Sequence, residues 1–357
     1  MSRLRMGVVG VGALGQHHAR LLSELESVQL IAVADPHAKQ GRRVADDCHT
    51  KWTADFRELL GQIDAISIAA PTTAHVEIAS EFINRGIPVF VEKPIACDVR
   101  ESEELVELAE QKDVILQVGH IERFNPAMIT AKRFCGAPKY IRCERLSPFA
   151  FRSTDIGVVH DLMIHDIDLV LDLVKSPISS ADAFGLSLMS GRDDSIQARL
   201  EFENGCVADL SASRVNPTAK RQMQVWSDDG CVNVDFTSCQ VTCYTPTEAL
   251  KFGTPPVELA KQPGTNIEQL KQAVFQTYIR IESPAVASSN ALLDELTSFI
   301  DCIHDGRQPI VDGQQALQAM RVAERILELV DSHEWDGGQT GLIRPNASYL
   351  TPRRLAG

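Results

Sequence analysis

Six residues near the start, Gly10-Val11-Gly12-Ala13-Leu14-Gly15, constrain this chain more than any other stretch. They follow an apolar run, Met6–Val9, and open a segment of helical periodicity, Ala13–Glu26. A second apolar run, Leu30–Ala34, comes next and ends at Asp35. In that setting each glycine has its own task. Gly10 allows a tight turn out of the strand, Gly12 lets backbone amides approach a ligand at the helix N-terminus, and Gly15 lets helix and strand pack closely. Ala13 and Leu14 complete the loop. Asp35 lies 20 residues beyond Gly15, where a carboxylate accepts hydrogen bonds from the ribose of a dinucleotide. The spacing predicts a Rossmann domain. A carboxylate there repels a 2′-phosphate, so NAD is favoured over NADP. Arg42 and Arg43 lie too far into the next helix to reverse that preference.

The alternation continues to about residue 120. Ala65–Ala69, Val89–Glu92 and Ile115–Val118 are short apolar runs separated by helical stretches such as Glu101–Lys112, with Asp98 and Glu101 as a capping box. Apolar strands interleaved with helices mean a parallel sheet covered on both faces. After Arg123 the pattern changes. A long helix is expected over Val159–Val174. The alternating segments Ile196–Phe202, Cys206–Ser213, Gln222–Ser227, Cys231–Phe236 and Val241–Tyr244 follow, with turns at Glu203-Asn204-Gly205 and Asp228-Asp229-Gly230. They predict a mostly antiparallel sheet with one open face. Residues 251–285 read as a long loop with one helix, Ala291–Ile303 and Gly313–Asp331 as helices, and the tail from His333 as surface chain.

At 357 residues, two domains are the default. The expected fold is α/β: an N-terminal Rossmann parallel sheet over 1–122, and a C-terminal α/β domain with an open-faced, mostly antiparallel sheet over 123–333. A tail covers 334–357, and the terminal helices are free to pack back on the first domain. The net charge of −13 disfavours nucleic acid and anionic membranes as partners. No run approaches the roughly 20 apolar residues that span a bilayer. The first strand begins too close to Met1 for a signal peptide. The nine cysteines form no CxxC pair. Cys239 and Cys243, placed on one strand, would stand about 13 Å apart, too far to share a metal. Reduced thiols, a cytoplasmic location and no metal site are expected.

Two places carry candidate chemistry. Glu92-Lys93-Pro94 closes the strand Val89–Val91, and in an open parallel sheet ligands bind at the carboxyl ends of strands. There the Lys93 ammonium could hydrogen-bond a substrate hydroxyl and stabilise a developing alkoxide; taken alone, the motif fits a surface lysine equally well. The second place is the helix bearing Asp161 and His165. At about 100° per residue, Asp161, His165, Asp168 and Asp172 form one narrow polar stripe on an otherwise apolar helix. A carboxylate beside an imidazole holds its tautomer and raises its basicity, which suits a general base. A solvated amphipathic face is the plain alternative. No third ligand at a recognisable spacing supports a metal. Glu92 and the Pro71-Thr72 turn are expected against the cofactor. Arg123 and Asn125 follow a strand end and are candidate pocket residues.

GVGALG, AAPTTAH (Ala69–His75), VEKP (Val91–Pro94), VGHIERFNPA (Val118–Ala127) and GVVHDLMIHDIDL (Gly157–Leu169) occur in this order. Together they resemble the glucose–fructose oxidoreductase/inositol dehydrogenase (Gfo/Idh/MocA) family, from about residue 5 to about 330. The resemblance implies a catalytic group of Lys93, Asp161 and His165, and a cofactor site that takes in Pro71, Thr72, His75, Glu92 and Lys93. It also implies an open-faced sheet that often forms the oligomer interface, hence a homodimer or homotetramer. Family members often carry two or three glycines before the catalytic Asp; here only Gly157 is present. GHIERFNPA with DLMIHDIDL resembles the branch that oxidises the C3 hydroxyl of UDP-N-acetylglucosamine in lipid A synthesis. A UDP-linked sugar needs cationic partners, for which Arg152 and Arg214 are candidates. Another polyol or hexose, an NADPH-dependent reductase and a non-catalytic NAD(H) sensor are the rival readings.

Overall fold

The computed structural model describes residues 3–151, 156–336 and 339–344. The chain divides into two compact units, Met1–Phe124 with Ser289–Arg325, and Asn125–Ser288 with Ile326–Gly357. The first unit is built from β1 (Leu4–Val9), α1 (Gly15–Glu24), β2 (Val28–Ala34), α2 (Ala38–Asp47), β3 (Lys51–Thr53), β4 (Ala65–Ile68), α3 (His75–Ile83), β5 (Val89–Glu92), α4 (Val99–Lys112) and β6 (Leu116–Gly119). The six strands are parallel, in the order β3-β2-β1-β4-β5-β6. That order reverses direction between β1 and β4, which opens a crevice at the carboxyl ends of the strands. The three residues of β3 were missing from the sequence expectation, being too few to carry a period. Asp98 caps α4 by accepting from Glu101 N–H at 2.8 Å, and Glu101 accepts in return from Cys97 N–H at 3.2 Å.

The second unit holds α5 (Pro126–Ala131), β7 (Pro138–Leu146), α6 (Ile164–Val174), β8 (Ile178–Leu186), β9 (Ser195–Phe202), β10 (Val207–Ser213), β11 (Lys220–Ser227), β12 (Gly230–Asp235) and β13 (Gln240–Pro246). Beyond β13 come α7 (Glu248–Phe252), α8 (Pro256–Ala260), α9 (Ile267–Ala273), a π-helical turn over Val274–Tyr278, and β14 (Ile279–Glu282). The sheet order is β14-β13-β12-β11-β7-β10-β9-β8, antiparallel throughout except for β7 beside β10. Both expected hairpin turns are present, with Gly205 at φ 81° and Gly230 at φ 127°. Cys239 stands in the turn before β13 at φ 55°, not on the strand. Burial pushes the Cys135 thiol up to about 12, far from reactive range.

Two features depart from the sequence expectation. Residues 251–285 are not one loop with one helix. Their helices are five to seven residues long, too short for an apolar period, and Pro256 starts a helix instead of breaking one. None of α7, α8 and α9 buries a residue, and Phe252 is 84 % exposed. The tail also has structure. Glu334–Trp335 pairs antiparallel with Gln339–Thr340, and Trp335 packs edge-on to His333 and Phe184. The large sheet has the expected open face, and that face is largely polar. Arg199, Asp209 and Tyr140 form one cluster, Arg142, Glu144 and Lys220 another, and Gln224–Asn233 and Gln222–Asp235 pair across strands. An apolar row crosses it, in which Tyr140, Trp226, Cys231, Tyr244 and Ile281 stand successively opposite one another.

Two helices close the described fold, α10 (Ala291–Asp305) and α11 (Gly313–Ser332). Asn290 caps α10 by accepting from the Leu292 and Leu293 N–H groups. Leu296, Phe299 and Ile300 of α10 enter the first unit's core beside Met6, Val8, Leu22 and Phe90. Phe299 meets Phe90 edge-on at 5.9 Å. Each such side chain contributes roughly 1.5–3 kcal/mol by burial, so α10 is part of that core. No helix among the described residues is long and apolar enough to cross a membrane.

Candidate active site

The turn after β1 is built by crowding. A Cβ on Gly10, at φ 77°, would meet the Ala70 backbone at 2.6 Å, and one on Gly15 would stand 1.9 Å from the Gly10 carbonyl oxygen. A Cβ on Gly12 would meet nothing within 4 Å, so that residue faces open space at the start of α1. Asp35 is 7 % exposed, and its carboxylate already accepts from Val11 N–H at 2.9 Å and His37 N–H at 2.8 Å. It thereby holds the glycine turn as well as presenting an acceptor beside it. Pro71 and Thr72 lie at the carboxyl end of β4, in a single 3-10 turn.

Glu92-Lys93-Pro94 leaves the carboxyl end of β5, with a cis bond between Lys93 and Pro94. Lys93 is half-buried. Two histidines stand behind this turn. His18 of α1 is fully buried; its Nδ1 lies 2.9 Å from Ser67 Oγ and its Nε2 lies 3.1 Å from Glu92 Oε1. His75 of α3 is 1 % exposed, with Nδ1 3.0 Å from the Pro94 carbonyl and Nε2 2.9 Å from that of Ala70. Both ring nitrogens of His75 therefore face the protein. Burial pushes its pKa down against the pull of those carbonyls. On the far side of Glu92, a Cβ on Gly119 would lie 2.8–2.9 Å from the carboxylate.

In the second unit, the expected uniform helix from Val159 begins instead as a π-helical turn, Val159–Met163, continued by α6. Such turns recur at functional sites, and the π register changes the angle between Asp161 and His165 from that of a plain α-helix. Both residues are half-buried, while Asp168, on the expected stripe, is 1 % exposed. Asp172 pairs with Lys132. Asp166, next to His165, is held bidentately by the buried Arg145 at 2.7–3.1 Å. Upstream, Asp193 accepts from Val159 N–H at 2.9 Å, and a Cβ on Gly157 would overlap its carboxylate. One glycine is thus what the close approach of Asp193 demands.

The remaining expected residues fall as follows. Arg123 is 5 % exposed on a 3-10 turn, and Asn125 caps α5 by accepting from Ala127 N–H. Arg214 is 4 % exposed and donates to Asp194 at 2.9 Å, to the Ile156 carbonyl at 2.8 Å and to Ser190 at 2.8 Å. Its guanidinium thereby fastens the 188–194 loop. Arg152 lies outside the described residues. His18, Ser67, Gly119, Asp193 and Lys132 were not foreseen. A histidine among Ala19, Leu21 and Leu22 on the buried face of α1 was the one legible signal.

A family model described as an oxidoreductase family with an NAD-binding Rossmann fold matches residues 4–120, and a Gfo/Idh/MocA C-terminal domain matches residues 128–233. UDP-N-acetylglucosamine 3-dehydrogenase of Acidithiobacillus ferrooxidans is 31 % identical over 333 residues, 93 % of this chain and 99 % of that protein. The chain belongs to the Gfo/Idh/MocA oxidoreductase family. A solved structure of that A. ferrooxidans enzyme superposes with a TM-score of 0.80, covering 92 % of this chain and 98 % of the other. The scyllo-inositol 2-dehydrogenase (NAD(+)) of Bacillus subtilis is 28 % identical over 329 residues, 87 % of this chain and 89 % of that protein. NAD is the cofactor of this Gfo/Idh/MocA chain, and the residues fit it: of the turn's three glycines Gly12 alone has open space beside it, at the positive end of α1.

Two predictions follow from these contacts. Gly12→Val should leave thermal stability of the free protein unchanged and weaken NAD binding at least about tenfold, a loss of roughly 1.4 kcal/mol. Gly15→Val should lower the melting temperature, because its side chain meets backbone. Calorimetry of binding and of unfolding distinguishes the two, and equal behaviour would refute the assignment of Gly12 to the ligand side.

Asp193 gives the second. Burial raises its pKa. An acid so raised contributes stability that is full below its unfolded value and is lost as pH climbs through the folded value. Asp193→Asn keeps an acceptor for Val159 without the buried charge. Its melting temperature relative to the parent should therefore rise as pH climbs above the ordinary carboxylate range. A constant difference, followed by circular dichroism, would contradict this.

Proposed function

We propose that this enzyme oxidises a secondary hydroxyl of a sugar to a ketone, and that its substrate is UDP-N-acetylglucosamine, attacked at C3. The observation that carries this reading is the near end-to-end match to the A. ferrooxidans 3-dehydrogenase. Val118–Ala127 and Gly157–Leu169, the segments that resemble that branch, support it. NAD, when bound, supplies the acceptor for the hydride of the carbinol carbon. Lys93 hydrogen-bonds the carbinol oxygen and stabilises its growing negative charge. His165 takes the hydroxyl proton, and Asp161 orients the imidazole for that transfer. Asp35 favours NAD over NADP by repelling a 2′-phosphate, and Pro71, Thr72 and Glu92 border the cofactor. His75 and Asp35 also brace the loops they belong to. The product ketone suits a later transamination in lipid A synthesis. A cytoplasmic site fits nine free thiols. The second reading, oxidation of an inositol, is favoured by the match to the B. subtilis enzyme.

The test is NAD reduction with UDP-N-acetylglucosamine, myo-inositol and scyllo-inositol side by side. UDP-N-acetylglucosamine should give the highest kcat/KM. Lys93→Met and His165→Asn should each cut kcat by roughly 10²-fold or more, with combined losses short of additive. Inositol oxidation with no turnover of the nucleotide sugar would replace the first reading with the second. A fully active His165→Asn enzyme would end the general-base assignment.

The same reading makes the enzyme a homodimer or homotetramer. The support is the Trp226–Ile281 row on the open sheet and the exposed Phe252, Val257 and Phe275 beyond its β14 edge. Residues 247–288 carry four acidic and four basic side chains in a chain of net charge −13, so that region can meet its own copy without repulsion. Light scattering at micromolar concentration should give a multiple of 39.2 kDa; a monomer would contradict it.

A further inference from the structure

The turn that carries Lys93 is gripped on both sides. The residue before it, Glu92, is 8 % exposed, and its carboxylate sits between the His18 ring and Gly119. The residue after it, Pro94, offers its carbonyl to His75. Each histidine also has a second hold on the neighbouring strand β4 or the residues that follow it: His18 on Ser67, His75 on Ala70. Phe90 closes edge-on against His18 at 5.6 Å. Two imidazoles from two different helices thus tie one three-residue turn to the next strand over.

Stability alone does not explain this arrangement. Polar contacts taken out of water contribute little net stability, because desolvation offsets their attraction. Apolar side chains of the same size would fill the same space at least as well. His75 sets its two ring nitrogens against two carbonyls, 3.0 Å from that of Pro94 and 2.9 Å from that of Ala70. What the arrangement does provide is geometry. Catalytic groups must be held within about 0.5 Å of the productive position, and a long lysine on a free turn is not.

We propose that His18 and His75 are positioning residues that clamp the Glu92–Pro94 turn and so fix where the Lys93 ammonium stands. This rests on the reading of Lys93 as the group that holds the substrate oxygen. The clamp acts through Glu92 and Pro94 and touches no substrate. His18 has the sharper signature, because its two nitrogens can be removed separately. An asparagine amide overlays Nδ1 and keeps the Ser67 contact; a glutamine amide overlays Nε2 and keeps the contact to Glu92.

Two readouts test the clamp on the intact protein. The first needs no substrate: acetylation of Lys93 by acetic anhydride, read by peptide mass spectrometry with Lys132 and Lys261 as internal standards. The Lys93 rate should change at least about threefold in His18→Asn and stay within about twofold of the parent in His18→Gln, the standards being constant. The second is turnover of UDP-N-acetylglucosamine or myo-inositol, whichever the enzyme uses. His18→Asn should lose about tenfold in kcat with KM for NAD nearly unchanged, and His18→Gln should recover most of it. His75→Leu should resemble His18→Asn in both assays. Unaltered Lys93 labelling in folded His18→Asn and His75→Leu proteins would overturn the clamp, whatever the turnover. If Lys93→Met remains active, the catalytic reading of Lys93 fails, while a labelling change still sustains the clamp. If Lys93→Met is inactive and both histidine variants keep full kcat, the clamp is overturned and the lysine reading stands.

Discussion

Backbone closeness at the carboxyl edge of the parallel sheet is the constraint on which the first unit turns. Gly10 lies against Ala70, Gly15 against the Gly10 carbonyl, and Gly119 against the Glu92 carboxylate. Interiors at crystal-like density transmit a shift of a few tenths of an ångström, so each contact fixes the next. The glycine turn sets how near β4 may come, β4 carries Ser67 and leads into Ala70, and the Ser67 hydroxyl and the Ala70 carbonyl each meet a histidine behind the Lys93 turn. Side-chain volume is absent where loops must converge and present everywhere else.

The second unit solves a comparable problem with charge. Arg145 and Asp166 fasten α6 to β7, Arg214 and Asp194 fasten the 188–194 loop, and Asp193 holds the chain at Val159. Two buried ion pairs and a buried carboxyl near one helix start are an expensive way to gain stability. They are an effective way to forbid alternative registers, since any slip leaves a charge unmatched. The π-helical turn sits where these restraints meet, and it sets the directions of Asp161 and His165.

Much of this was legible in the sequence, for reasons that differ by element. The parallel sheet announced itself through apolar runs at regular intervals, and the glycine turn through residue types that only one geometry needs. Lys93, Asp161 and His165 stood out by motif. His75 stood out by motif too, as a cofactor-site residue, but its hold on the Pro94 carbonyl did not, and His18 looks like an interruption of an apolar helix face, because a buried polar contact leaves no periodic trace. Asp193 was equally silent, separated from Val159 by 34 residues of chain. Arg214 illustrates the converse: a lone arginine reads as an anion site, whereas its burial against Asp194 is a property of folded proximity alone. The short helices of 248–273 fell below the length at which a helical period exists.

The placement of α10 bears on how the chain is made. Phe90 leaves the ribosome early, yet its partner Phe299 follows more than 200 residues later. At roughly 5–20 residues per second, the Met6–Phe90 face of the nascent sheet stays bare for about 10–40 s. Throughout that interval the whole antiparallel unit must emerge and collapse beside an unfinished, sticky neighbour. Synthesis order and folding order are therefore out of step, and the nucleotide-binding unit, first to be translated, is among the last parts to be sealed.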